Sequence, residues 1–213
     1  MFRHPPPGTS KKLYFAPQTC SLSPHIVLRE AGIEFELIRV NNQTKRTADG
    51  KDFRSINPKG YVAALVLDNG EVLTEGPAIL QYLADLHPEA GLAPVIGSWQ
   101  RVRFNEWLNF IATEIHSGSA PLFNAAITEP VKAVLRERFF KRLDFLDTTL
   151  TDKPYLLEAY SAVDAYLFAV LEWLPFFDID IARWSSLAAY QARISERDAV
   201  REAITTEQAS APV

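Results

Sequence analysis

The chain has one cysteine, Cys20, and four histidines, His4, His25, His87 and His116. A lone cysteine cannot form an intramolecular disulfide, so Cys20 serves either packing or reaction. It follows a short apolar run, Leu13-Tyr14-Phe15-Ala16, and stands among Thr19, Ser21 and Ser23 within the first turn of an expected helix. The partial positive charge at a helix start favours a thiolate and lowers a cysteine's pKa. The position therefore predicts a reactive thiol as readily as an inert one. No two histidines share a helix at ligand spacing, and there is no second cysteine, so no metal site is expected. A cysteine–histidine nucleophile pair stays open on spacing alone. A further candidate is polar: Glu106, Asn109, Thr113 and His116 fall at i, i+3, i+7 and i+10. On a regular helix that spacing makes one face, either solvated surface or the wall of a cleft.

The elements that must hold these residues can be read from punctuation and period. Leu13–Ala16, closed by Pro17, reads as a strand. Ser21 to Gly32 reads as a helix, with Ser21 and Ser23 able to cap, Pro24 in the first turn and Gly32 after the last periodic residue. Phe35–Val40 reads as a second strand, which completes a βαβ unit and predicts a parallel pair. A short helical piece is expected near Lys51–Ile56. Leu65–Leu67 and Val72-Leu73 flank Asn69-Gly70, a strong hairpin signal. Gly76-Pro77 opens an amphipathic helix through Leu86. The order βαβ then ββα predicts an α/β thioredoxin-like half with a mixed four-stranded sheet.

Residues 88–98 carry two prolines and two glycines and read as a linker. Beyond it nearly every segment has helical period: Ser98–His116, Val131–Leu150, Ala162–Leu174, and shorter helices near Ser186–Ile194 and Asp198–Ile204. Ser161 and Asp164 have capping-box spacing ahead of an apolar run. The expected divisions are 1–10 as a disordered extension, 11–88 as the thioredoxin-like domain, 89–97 as the linker and 98–208 as an all-helical domain.

Composition narrows the function classes. The 213 residues are 47% hydrophobic and 23% charged, with net charge −4. These are globular values. Nucleic acid is not an expected partner, because no basic stripe exists to neutralise phosphates. No apolar run spans a membrane and no secretory signal is present, so a cytoplasmic protein is expected.

Four segments resemble the bacterial beta-class glutathione transferases: Lys12–Phe15 with Cys20–His25, Asn57–Val62, Leu73–Ile79, and Trp107–Phe110 through His116. The likeness runs from about residue 11 to 205 and implies the glutathione transferase architecture, a homodimer and an enzyme using glutathione as co-substrate. The implied chemistry is conjugation to a small electrophile, thiol-disulfide exchange with a disulfide substrate through Cys20, or both. A non-catalytic ligand-binding or protein-interaction module on the same fold is the alternative.

The resemblance also implies residue roles. Cys20 would lie against the glutathione sulfur, and the Val62 backbone would pair with the cysteinyl part. Glu75 and Gly76 would hold the γ-glutamyl end, and Lys45 the glycyl carboxylate. Asn109 and the turn Thr113, Glu114, Ile115, His116 would approach from the second domain, with Cys20, Asn109 and His116 as the catalytic set. Three departures stand out. Phe15 lacks the hydroxyl of a tyrosine-type site, Ser117 replaces an expected basic residue, and Ala63 replaces a cis-proline after Val62. A cis bond before a non-proline residue costs about 3–4 kcal/mol, so a trans Val62–Ala63 bond is expected.

Overall fold

The computed structural model describes residues 11–210. The expected extension at 1–10 lies outside them. Strand β1 (Lys11–Phe15) is followed by helix α1 (Leu22–Glu30) and strand β2 (Phe35–Arg39). Strands β3 (Ala64–Val66) and β4 (Val72–Thr74) form the hairpin, and helix α2 (Gly76–Leu86) follows. The sheet order is β2-β1-β3-β4; β1 and β2 are parallel, and the other pairs antiparallel. This is the mixed four-stranded thioredoxin-like sheet. Gly70 closes the hairpin at φ 84°, a conformation that a Cβ would penalise.

The alternation along β1 serves two cores. Leu13 faces the large core beneath α1 and α2, while Tyr14 joins Phe53, Val62 and Ala64 on the opposite face. Phe53 belongs to a 3-10 turn, Phe53–Ser55, where the sequence predicts a short helical piece. Asp52 caps it by accepting from the Arg54 N–H at 2.9 Å.

The second half is helical: α3 (Trp99–Phe110), α4 (one turn, Ser117–Ser119), α5 (Glu129–Leu150), α6 (Ala162–Leu171), α7 (Ser185–Ser195) and α8 (Asp198–Ala209). All ten residues of α6 are buried. A helix apolar on every side belongs at a domain centre. Its one charged residue, Asp164, accepts from the Leu156 N–H (3.0 Å), the Ser161 N–H (2.9 Å), the Ser161 hydroxyl (3.2 Å) and the Tyr190 hydroxyl (3.0 Å). The expected capping box is therefore present and fully bonded. No helix among the described residues is long and apolar enough to cross a membrane.

Polar contacts fasten the halves together. Arg101 of α3 makes two bonds to Asp85 of α2, at 2.6 and 2.7 Å. Arg197 does the same to Glu30 of α1, at 2.6 and 2.9 Å. Such paired guanidinium–carboxylate bonds fix orientation as well as distance. Buried His25 of α1 meets Glu207 of α8 at 2.9 Å and accepts from Arg29 Nε at 2.9 Å. Burial, with Arg29 adding to it, drives the His25 pKa down to about 3, so the ring is neutral.

One regular helix from Ser98 to His116 is predicted, but the structure departs from it. After Phe110 the backbone widens into a π turn, Ile111–His116, with the Ser117 N–H bonding the Ala112 carbonyl five residues back. Such insertions occur often at functional sites.

Candidate active site

A cavity of about 1000 Å³ opens between the two halves. Its first wall comes from turns of the thioredoxin-like half: Gln18, Thr19 and Cys20 after β1, Asn57, Lys59 and Tyr61 to Ala63 before β3, and Glu75 to Ala78 at the start of α2. Its second wall comes from the helical half, through Ala112, His116, Ala120, Phe123, Tyr166 and Trp173.

Cys20 precedes Ser21, the N-cap of α1, so it lies just before the first turn and not within it. The Cys20 thiol donates to the Val62 carbonyl at 3.6 Å. Burial pushes its pKa up to about 12, outweighing a backbone hydrogen bond that favours the thiolate. The expectation of a lowered pKa is thus reversed: desolvation exceeds what the helix start contributes. The thiol itself is half-buried at the cavity wall, and its polar neighbours serve the turn. The Thr19 hydroxyl donates to the Ala16 carbonyl at 2.8 Å, the Ser23 hydroxyl to the Cys20 carbonyl at 2.8 Å, and Ser21 and Ser23 are fully buried. Their hydroxyls build the turn.

The Val62–Ala63 bond is cis, which corrects the expectation of trans. The expectation took this segment for a loop free to relax, and it is not. Val62 and Ala63 are buried, and the Asn57 side-chain amide donates to the Tyr61 carbonyl at 2.7 Å.

Glu75 takes φ 73° as the N-cap of α2, an uncommon conformation for a side chain with a Cβ. Gln18 (φ 61°) shares it and also lines the cavity, while Lys45 (φ 59°) stands at the rim. Non-glycine residues held this way cluster at functional sites. The Glu75 carboxylate pairs with Lys59, which also donates to the Thr74 hydroxyl at 2.7 Å. One edge of the cavity thus carries both signs of charge beside Gly76, whose N–H is the first of α2.

On the opposite wall, His116 Nδ1 lies 2.7 Å from the Tyr166 hydroxyl. The Trp173 ring meets the imidazole edge to face at 4.9 Å, and Trp173 Nε1 donates to the Gln18 carbonyl at 3.1 Å, tying the two walls together. Burial holds the His116 pKa below its ordinary value, with Glu75 opposing, so the imidazole is neutral at neutral pH.

Of the sequence candidates, Cys20, Val62, Glu75, Gly76 and His116 meet in this cavity. Lys45 does not line it, but its ammonium donates to Asn42 at 2.9 Å and lies over the Tyr61 ring, and both of those residues do. Asn109 and Thr113 are exposed and outside the lining, as is Glu106. The π turn rotates His116 away from the face that a regular helix would give all four. Glu114 pairs with Arg142 at 2.5 Å, and Ile115 is fully buried core. Sequence reasoning missed Lys59, Tyr166 and Trp173. Lys59 could have been found, since it lies inside the motif Asn57–Val62. Tyr166 and Trp173 read as core residues of an apolar helix and carry no separate signal. Among the described residues no group of three or more His, Cys, Asp or Glu is arranged to hold a metal ion.

Residues 10–85 match the family profile for the glutathione S-transferase N-terminal domain, and residues 110–198 that for the C-terminal domain. Glutathione S-transferase GstA of Escherichia coli O157:H7 is 41% identical over 92% of this chain and 98% of its own length. A sphingomonad glutathione S-transferase solved in complex with glutathione is 42% identical, with TM-score 0.90 over 93% of this chain and all of that one. A bacterial beta-class glutathione S-transferase from Sphingomonas chungbukensis is 40% identical, with TM-score 0.89 over 92% of this chain and 98% of that one. With the thioredoxin-like sheet, the helical half and the cavity between them, these matches show that the chain belongs to the glutathione S-transferase family, on its bacterial beta-class side, and is a glutathione transferase.

Proposed function

We propose that this enzyme conjugates glutathione to small electrophiles in the cavity between its halves, and that thiol-disulfide exchange through Cys20 is its minor activity. The observation that carries this reading is the placement of Cys20 and His116 in one cavity, on opposite walls, where desolvation favours the thiol form of Cys20 and the neutral form of His116. Desolvation raises the Cys20 pKa well above that of a free thiol, so the thiol form dominates at neutral pH. Exchange needs a thiolate as attacking group. Conjugation needs hydrogen-bond donors aimed at a sulfur that becomes negative, and a neutral thiol and a neutral imidazole are both donors.

The residues present fit the tripeptide, which carries two carboxylates and one ammonium. Glu75 meets the ammonium, and the N–H of Gly76 at the start of α2 meets the adjacent carboxylate. Lys59, paired with Glu75, adds a cation at that γ-glutamyl end, and Lys45 at the rim supplies the cation for the glycyl carboxylate. The backbone of Val62 pairs with the central residue as an added strand would. When bound, glutathione supplies the sulfur nucleophile: its thiol releases its proton to solvent, and the sulfur then bonds to the electrophilic carbon as the leaving group departs with its electron pair. Cys20 and His116 then donate toward that sulfur from opposite sides. Phe123, Trp173, Ala112 and Ala120 leave an apolar, aromatic surface beyond it, suited to a flat hydrophobic electrophile. Asn109, Thr113, Glu114 and Ile115 do not line the cavity of this chain.

A homodimer belongs to the same proposal. Val95, Ile96, Trp99 and Val102 are 80%, 73%, 69% and 51% exposed at the start of α3, an apolar patch that monomers seldom leave open. A second copy of this chain would cover it. The expected compartment is the cytoplasm, where the reduced glutathione pool lies.

The test is a pair of variants assayed for both chemistries. His116→Ala should lower conjugation kcat by about 10²-fold, the usual worth of a positioned proton-handling group. Cys20→Ala should leave conjugation within about tenfold, or 1.4 kcal/mol, while ending formation of any mixed disulfide. Conjugation abolished by Cys20→Ala but untouched by His116→Ala would overturn this assignment.

A further inference from the structure

The geometry points to Tyr166 as a positioning residue for the transferase reaction: its buried hydroxyl donates to His116 Nδ1 and so fixes the tautomer that carries a proton on Nε2, toward the cavity. This rests on the proposed role of His116 as a donor to the glutathione sulfur. Tyr166 belongs to α6, which has no polar face, and its side chain is 2% exposed. A phenol in that setting must place its O–H on an acceptor, because a buried donor left unmade keeps its whole desolvation cost. Among the described residues the hydrogen-bond partner of this hydroxyl is His116 Nδ1, at 2.7 Å. Burial raises the Tyr166 pKa well above that of an ordinary phenol, so the hydroxyl keeps its proton.

A neutral imidazole has one donor nitrogen and one acceptor. With Nδ1 accepting from Tyr166, the proton is on Nε2. No protein partner of Nε2 occurs among the described residues, while His116 lines the cavity. The ring cannot easily turn over to exchange its nitrogens. Tyr166 meets it edge to face at 5.9 Å and Trp173 at 4.9 Å, with interplanar angles of 79° and 73°.

Tyr166 reaches the first wall as well. A Cβ placed on Gly76 would lie 3.9 Å from its ring, so the start of α2 rests against the same side chain that holds His116. One residue of the helical core therefore touches both walls. Its hydroxyl, and not its ring, carries the chemical role.

The experiment uses Tyr166→Phe, which keeps the ring and removes the hydroxyl, alone and combined with His116→Ala. The expected result is a loss of about tenfold or more in conjugation kcat, with KM for glutathione unchanged. In the His116→Ala background, Tyr166→Phe should change kcat by less than about twofold, because the route through His116 is already closed. Nitrogen-15 NMR of the ligand-free enzyme should show His116 with the proton on Nε2, and Tyr166→Phe should abolish that preference. Equal losses from Tyr166→Phe in both backgrounds, or an unchanged tautomer, would overturn the inference while leaving the role of His116 intact. Full activity in His116→Ala alone would overturn both.

Discussion

The two walls of the cavity are built by opposite means. The Cys20 wall is made of turns, each closed by contacts a few residues long: Thr19 on Ala16, Ser23 on Cys20, Asn57 on Tyr61. The His116 wall is made of helix packing, in which α3 and its π turn meet α6 across fifty residues of sequence, through His116 and Tyr166. Turn chemistry is local, so residue types and spacing announce it. Helix packing is not, and its functional members look like any other buried aromatic. The walls also differ in the group they present, a thiol on one side and an imidazole on the other. At neutral pH burial keeps a proton on Cys20, and it keeps His116 neutral, so each wall offers the same thing, a donor without a charge.

That comparison can be broken most severely at α6. Asp164 takes four hydrogen bonds with no exposed surface, and Asp164→Ala would leave those donors unanswered. The expected cost is about 3–5 kcal/mol, seen as a fall of roughly 6–20 °C in melting temperature. If α6 positions only the second wall, glutathione affinity below the new melting point should change less than conjugation kcat. Parallel losses in both would mean that the walls are not separable.

A gentler probe is the tie between the walls. Trp173→Phe keeps an aromatic ring beside His116 and removes the indole N–H that reaches the Gln18 carbonyl. About 1 kcal/mol of stability should be lost. The Gln18–Cys20 turn should gain mobility, measurable as faster amide exchange at Gln18 and Thr19. Unchanged exchange there would show that the turn holds itself without the helical half.

Much of the fold was legible in the sequence because its signals are short-ranged. Asn69-Gly70 announced the hairpin, the βαβ spacing announced the parallel pair, and Ser161 with Asp164 announced the capping box. For the first wall it was the resemblance to the beta-class transferases that named Val62, Glu75 and Gly76, and these residues do line one cavity with Cys20. What failed was any inference that needed an environment. The Cys20 pKa was read from helix polarity, but the desolvation that reverses it depends on the cavity in which the thiol lies. The stripe Glu106, Asn109, Thr113, His116 assumed a regular helix, and nothing in Ile111–His116 marks a π turn by residue type alone. Tyr166 was invisible because an apolar run hides which of its members faces a cavity.

The central claim, that this transferase works with a protonated Cys20 thiol, has a direct test because the chain has a single cysteine. Thiolate ultraviolet absorbance of the ligand-free enzyme, less that of Cys20→Ala, reports this one group. A thiol whose folded pKa lies above its ordinary value of 9.0 binds its proton more tightly when folded. Its contribution to stability is therefore complete below about pH 9 and is lost as pH rises toward 12. Between about pH 6 and about pH 9 the difference spectrum should stay flat. A thiolate step with its midpoint at or below about pH 8 would contradict the account and return Cys20 to the role of attacking nucleophile.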